Sequence, residues 1–317
     1  MSTEFTFKKF EKAGCNMVRS YLLLLFCVIC WGSNFIFGSI LVKEFPPVLL
    51  SALRLCFILL FMAFYALMKK KWKKIKKKDW FMIILLGLIG TCINQWSFYS
   101  ALETTHPTTS ALILALAPLT TSFLASIFLK ERLTKGFVLG SIIAFIGVFF
   151  VITNGQKLQI TIGLIWIFLT MLTFSISIIM IKKLTVNYES TTITLYSNFI
   201  GFGGLLPIAL FSETTVALSK EAMPWILLIV TAIVMHGICT LIWNHQIQIV
   251  GASKAAIFLN LEPFVAMLVG LIILKNNITS SQLLGGALII IGVFLSTSLK
   301  WRKATKDPVY IKDTKNF

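Results

Sequence analysis

Apolar runs of about 20 residues, each closed by a short polar break, recur along the whole 317-residue chain. A bilayer-crossing helix needs roughly 20 mostly apolar residues, so the pattern predicts spanning helices. The runs fall at 20–42, 47–68, 79–101, 107–129, 136–153, 161–181, 190–211, 223–244, 253–274 and 280–299. The expected fold is an all-α membrane protein of ten transmembrane helices, with tails at 1–19 and 300–317. The fifth run is the shortest, but Lys130-Glu131-Arg132 before it and Asn154-Gly155-Gln156-Lys157 after it leave no better placement.

Composition agrees. Hydrophobic residues make up 57% of the chain and charged residues 13%, and the mean hydropathy of +0.88 is outside the range of a soluble domain. The net charge of +17 would suggest nucleic acid, but the basic residues sit in the breaks between runs. With the N-terminus in the cytoplasm, 24 of the 29 Lys and Arg residues lie inside. Lys43, Lys157, Lys220 and Lys275 lie outside, and Arg54 falls within the second run. That asymmetry predicts both termini cytoplasmic in a multi-pass plasma-membrane protein. The eight lysines of 69–78 act as a stop signal or bind anionic headgroups, each cation contributing about 1 kcal/mol near the surface. Cys15, Cys27, Cys30, Cys56, Cys92 and Cys239 lie mostly inside apolar runs and read as small helix-facing residues. No metal site or cofactor is expected. The first run is long enough to stay as a helix, with no cleaved signal ahead of it.

Sliding the chain by 145 residues lays 105–118 over 250–263 without a gap. Pro118 then meets Pro263, Lys130 meets Lys275, Thr134 meets Thr279, Gly140 meets Gly285 and Gly147 meets Gly292. Five helices per copy return the second copy to the membrane upside down. The prediction is two inverted five-helix repeats, 20–153 and 161–299, an arrangement typical of secondary transporters.

Several stretches resemble the drug/metabolite transporter superfamily and, within it, the EamA-type proteins. They are Cys30-Trp31-Gly-Ser-Asn34, Ala101-Leu102, Ser110-Ala-Leu-Ile with Pro118-Leu, Phe128-Leu-Lys-Glu131-Arg-Leu-Thr134, Asn260-Leu-Glu-Pro-Phe264 and Gly285-Gly-Ala-Leu-Ile-Ile-Ile-Gly292. The sequence departs from the pattern at Asn276, where the first copy has Glu131. The resemblance implies a central cavity lined by the first, third, fourth, sixth, eighth and ninth helices. Trp31, Asn34, Gln95, Tyr99, His236, Trp243, Asn244 and Asn260 are its candidate lining.

Ionisable groups inside a bilayer are costly, about 2.5–3.5 kcal/mol at the centre on insertion scales, so each one is a functional candidate. Glu262 falls about 13 Å into the ninth run at 1.5 Å per residue. It either holds a cationic group or a coupling proton, or serves as a structural ion pair or cap at the Pro263 kink. Arg54 either receives a substrate carboxylate or phosphate through its two-pronged guanidinium, or pairs with Glu262, or snorkels outward. Pro118 and Pro263 are candidate hinges. Gly140 and Gly147, like Gly285 and Gly292, are two helical turns apart on one face and suit close packing of the fifth and tenth helices.

The expected function is secondary transport, by alternating access, of small metabolites, with export of amino acids or related organic solutes. The partners are the lipid bilayer, the solute and a proton or other coupling ion. A passive facilitator is the alternative. A membrane enzyme acting on lipid-linked substrates would need paired acids or a metal cluster, whereas Glu262 is the one deep acid.

Overall fold

The computed structural model describes every residue except 1, 69–72, 129–134, 154–160, 212–218, 251–257, 276–277 and 305–317. Lys130, Glu131, Arg132, Lys157, Lys254 and Asn276 lie outside the described residues, as does much of the 250–263 match.

Helix follows helix with no strand among the described residues. The first, α1, spans Ser2–Leu41 and so continues through the tail ahead of the first apolar run. A short turn leads to α2, Pro47–Met68, with proline at its first position, where a missing N–H costs nothing. Next come α3, Lys77–Thr104, and α4, Pro107–Phe128. After them come α5, Lys135–Thr153, and α6, Ile162–Leu184, whose first turn is capped by the Thr161 hydroxyl accepting from Leu164 N. Then follow α7, Ser190–Phe211, and α8, a continuous rod of Ala222–Val230, Thr231–Ile238 and Cys239–Val250. The last two are α9, Glu262–Ile273, and α10, Ser280–Ala304. Among the described residues, eight helices are long and apolar enough to cross a membrane, while Glu262–Ile273 and Ser280–Leu295 are shorter apolar helices.

The 145-residue repeat is visible in backbone detail. Within α3, residues Leu86–Ile93 are π-helical, and within α8 so are Thr231–Ile238, the same eight positions displaced by 145. A π segment inserts an extra residue into an α-helix and re-aims the side chains around it. Residues 115–116 interrupt α4 with a turn, and 260–261 form the equivalent turn before α9. The helix resumes at Ala117 in one copy and Glu262 in the other, with Pro118 and Pro263 second in the new helix. The prolines therefore open fresh helical segments rather than bend continuous ones, because a proline in the first turn forfeits no intrahelical hydrogen bond. Glu262 is accordingly the first residue of α9.

The pairing of α5 with α10 is the most extensive helix contact. A Cβ on Gly147 would stand 2.6 Å from Gly285 O, one on Gly285 the same distance from Gly147 O, and one on Gly292 would collide with Gly140 O. Gly147 faces Gly285 while Gly140 faces Gly292, so the two helices run antiparallel. The contact is self-complementary between equivalent positions, as a two-fold relation requires.

Candidate functional site

Arg54 lies one-third of the way along α2 and is completely buried. One amino group, Nη1, donates to the Thr231 hydroxyl. The other, Nη2, donates to Asn34 Oδ1 at 3.1 Å and meets His236 Nδ1 at 3.0 Å. A guanidinium only donates, so Nδ1 accepts and the imidazole carries its proton on Nε2. The guanidinium carbon is 5.3 Å from the centre of the Tyr99 ring, within cation–π range. Among the described residues, Arg54 Nε has no hydrogen-bond partner, and neither does the buried Gln95 Oε1.

Four helices build this cage: Asn34 comes from α1, Tyr99 from α3, and Thr231 and His236 from the π segment of α8. One turn before Arg54, Ser51 donates to Gln95 O at 3.1 Å and fixes α2 against α3. Arg54 thus neither snorkels nor pairs with Glu262. Its hydrogen-bond partners are all neutral, and among the described residues no carboxylate lies within ion-pairing distance.

The other candidates lie on α1, on α8 and at the start of α9. Trp31 donates from Nε1 to Met235 O at 2.5 Å, and its ring lies 4.9 Å from that of Trp243. The register change of a π segment leaves carbonyls short of donors, and Trp31 supplies one. Glu262 lies beyond α1, its carbonyl packed against Gly32, where a Cβ would approach to 2.8 Å. Asn244 is half-buried on α8 and Asn260 half-buried in the turn before α9. The cage residue absent from the sequence reading is Thr231. Threonines are common in spanning helices, and only its register with the α3 π segment would have singled it out.

Two cavities flank the cage. One, about 520 Å³, lies where α1 ends and α2 begins and includes Lys43, Trp96, Glu103 and Trp166. The second, about 650 Å³, includes Arg19, Ser20, Tyr65 and Gln246. From Arg19 to Leu41 along α1 is about 33 Å at 1.5 Å per residue, so the cavities open at opposite ends of the bundle. Neither includes Arg54.

Comparison with known proteins places this architecture. The model of the EamA-like transporter family matches residues 18–153 and again 161–298. The chain belongs to the EamA-like transporter family. Among relatives of this EamA-like protein, an uncharacterized transporter of Bacillus subtilis (strain 168), YyaM, is 31% identical over 286 residues, covering 88% of this chain and 93% of that one. An uncharacterized transporter of Archaeoglobus fulgidus is 25% identical, over 88% of this chain and 98% of the relative. A Streptantibioticus cattleyicolor protein named "Probable terminal-alkyne amino-acid exporter" is 24% identical, over 69% of this chain and 74% of its own. One solved crystal structure shares the fold with a TM-score of 0.65 at 16% identity, over 89% of this chain and 97% of the other. Family and relatives make this EamA-like protein a transporter that works on small solutes in a lipid bilayer.

Proposed function

We propose that the chain is a secondary exporter of amino acids or closely related carboxylate-bearing solutes, and that Arg54 receives the carboxylate. In this reading it crosses the plasma membrane ten times as two inverted repeats, 20–153 and 161–299, with the tails 1–19 and 300–317 in the cytoplasm. The observation that carries it is the buried guanidinium with neutral partners and an Nε that meets no acceptor among the described residues. A charge taken out of water without a counter-ion is strongly unfavourable, and an anionic substrate supplies the missing partner as a charged acceptor of the Nε–H. Substrate reaches the cage from one flanking cavity and leaves through the other, as alternating access requires. The repeated π segments and helix breaks supply equivalent bending points in the two halves. Glu262 holds the substrate ammonium or the coupling proton. The Streptantibioticus relative's name supports the amino-acid class.

The test is uptake into proteoliposomes for amino acids, their decarboxylated amines, nucleosides, sugars and quaternary cations. Amino acids should be transported and their amines not. Equal transport of amine and amino acid removes Arg54 as a carboxylate site. The coupling role predicts that Glu262→Gln loses pH-driven uptake and keeps substrate exchange, and loss of both or of neither refutes it.

A further inference from the structure

Where α2 gives way to α3, the chain carries a dense cluster of exposed lysines whose backbone is fastened down. Ile75, in the middle of the strap formed by residues 73–78, is buried and packs with Ile83, Leu86, Leu184, Tyr188 and Ile193. Tyr188, in the turn between α6 and α7, uses its hydroxyl twice: it accepts from Lys76 N at 3.0 Å and donates to Asp79 Oδ2 at 2.7 Å. The lysines of 73–78 on both sides of Ile75 are exposed. Lys182 and Lys183, also exposed, precede Leu184 of the same apolar cluster. The nearest acid on the strap, Asp79, is engaged by Tyr188.

We propose that this face is a binding site for anionic phospholipid headgroups, with phosphates held between the strap lysines and Lys182 and Lys183. The occupant follows from position and charge. The lysines stand at the ends of apolar helices, and immediately below them Trp80 packs edge-on against Tyr196, ring centres 5.6 Å apart, while Phe81 is exposed. That aromatic belt sets the face at headgroup depth, where anionic lipids attract juxtamembrane cations. A bare orientation signal needs charge alone. Here a buried isoleucine and a doubly used phenol hold the charges in a fixed arc, and such preorganisation lowers the ordering cost of binding. The strap belongs to the first repeat, and Tyr188, Lys182 and Lys183 to the second. A headgroup on this face therefore joins the two halves at the junction Tyr188 already ties.

The experiment uses the full chain in nanodiscs of phosphatidylcholine and phosphatidylglycerol in equal parts, with retained lipid counted by native mass spectrometry. Retention is read without transport, so its outcome is independent of the substrate assignment. The wild type should retain phosphatidylglycerol about tenfold over phosphatidylcholine, falling to about twofold when Lys73, Lys74, Lys77 and Lys78 become Gln. A Lys43→Gln, Lys220→Gln pair elsewhere on the chain should keep the wild-type preference. Should the fourfold variant fail to insert, Tyr188→Phe decides the question, since it preserves every charge and frees the strap. It should lose part of the preference. The proposal is overturned if the wild type shows no preference, if the fourfold variant or Tyr188→Phe keeps it in full, or if free phosphate in pure phosphatidylcholine stabilises the protein as well as the anionic lipid does.

Discussion

Two interfaces in this molecule are built from equivalent parts and filled differently. The π segment of α3 packs on α7, and the π segment of α8 packs on α2. At the α3–α7 contact the fit is backbone-close: a Cβ on Gly87 would stand 2.6 Å from Ile200, and one on Gly201 would stand 2.6 Å from Thr91. At the α8–α2 contact the positions 145 residues on from Leu86 and Thr91 are Thr231 and His236, and they hold Arg54. Duplication thus supplied a scaffold twice, and polar chemistry was placed in one copy. The matching interface shows that the equivalent helices close well without a buried cation, and that contrast supports the proposed role of Arg54 in holding substrate.

The largest effect should come from emptying the polar interface. Arg54→Met is expected to cut amino-acid uptake about a hundredfold, corresponding to roughly 3 kcal/mol for a truncated buried charge contact. Stability should move by less than about 2 kcal/mol, since relief of an uncompensated charge offsets the acceptors left on Asn34 and His236. Thermal unfolding beside uptake separates the two roles. A fall of 3–5 kcal/mol in stability would make Arg54 a structural keystone and erase the contrast.

The close-packed interface should answer in the opposite way. Gly201→Val pushes a branched side chain against Thr91 and should cost about 2 kcal/mol of stability by overpacking. The substrate KM of the protein that folds should stay unchanged. A shifted KM would mean that the α3–α7 contact also shapes the site.

Much of this was legible in the sequence, for physical reasons that can be named. Apolar runs marked the helices because a bilayer leaves the backbone few other ways to satisfy its polar groups. The 145-residue offset surfaced through Pro118, Pro263 and the paired glycines, residues whose backbone consequences tolerate few substitutes. Arg54 stood out as a charge in an apolar run. The π segments left no such mark, since an i→i+5 register is a backbone choice that Leu86–Ile93 and Thr231–Ile238 make with only their final isoleucine in common. The Arg54 partners were hidden likewise: whether Arg54 meets Glu262 or Asn34 depends on helix packing, and the structure sets Glu262 across α1. Glu262 was read as deep within a helix because an apolar run gives no notice of a turn at 260–261.

A smaller effect sharpens the account of the cage. His236→Phe removes one of the two acceptors for Arg54 Nη2 and should weaken substrate affinity about fivefold, on the order of 1 kcal/mol for one hydrogen bond. His236→Gln can still accept and should restore most of it. Equal loss in both variants would assign His236 to packing alone.

The smallest effect concerns the strap at the basic end and depends on the sign of one titration. Burial first, and then the hydrogen bond given to Asp79, hold the Tyr188 phenol above its ordinary value. Below about pH 10, the usual tyrosine value, the phenol is protonated in folded and unfolded chains alike, so its contribution is fully present. Above that the unfolded chain ionises while the folded one keeps its proton, and the contribution is lost as pH rises through the raised folded value. Tyr188→Phe has no proton to lose, and it keeps Asp79, Lys76 and every other strap charge. The difference in Tm between wild type and Tyr188→Phe should therefore stay flat across neutral pH and shrink only in alkaline buffer. A difference that already varies between pH 6 and 9 would mean that Asp79 or a neighbouring group, rather than the phenol, governs the fastening of the strap.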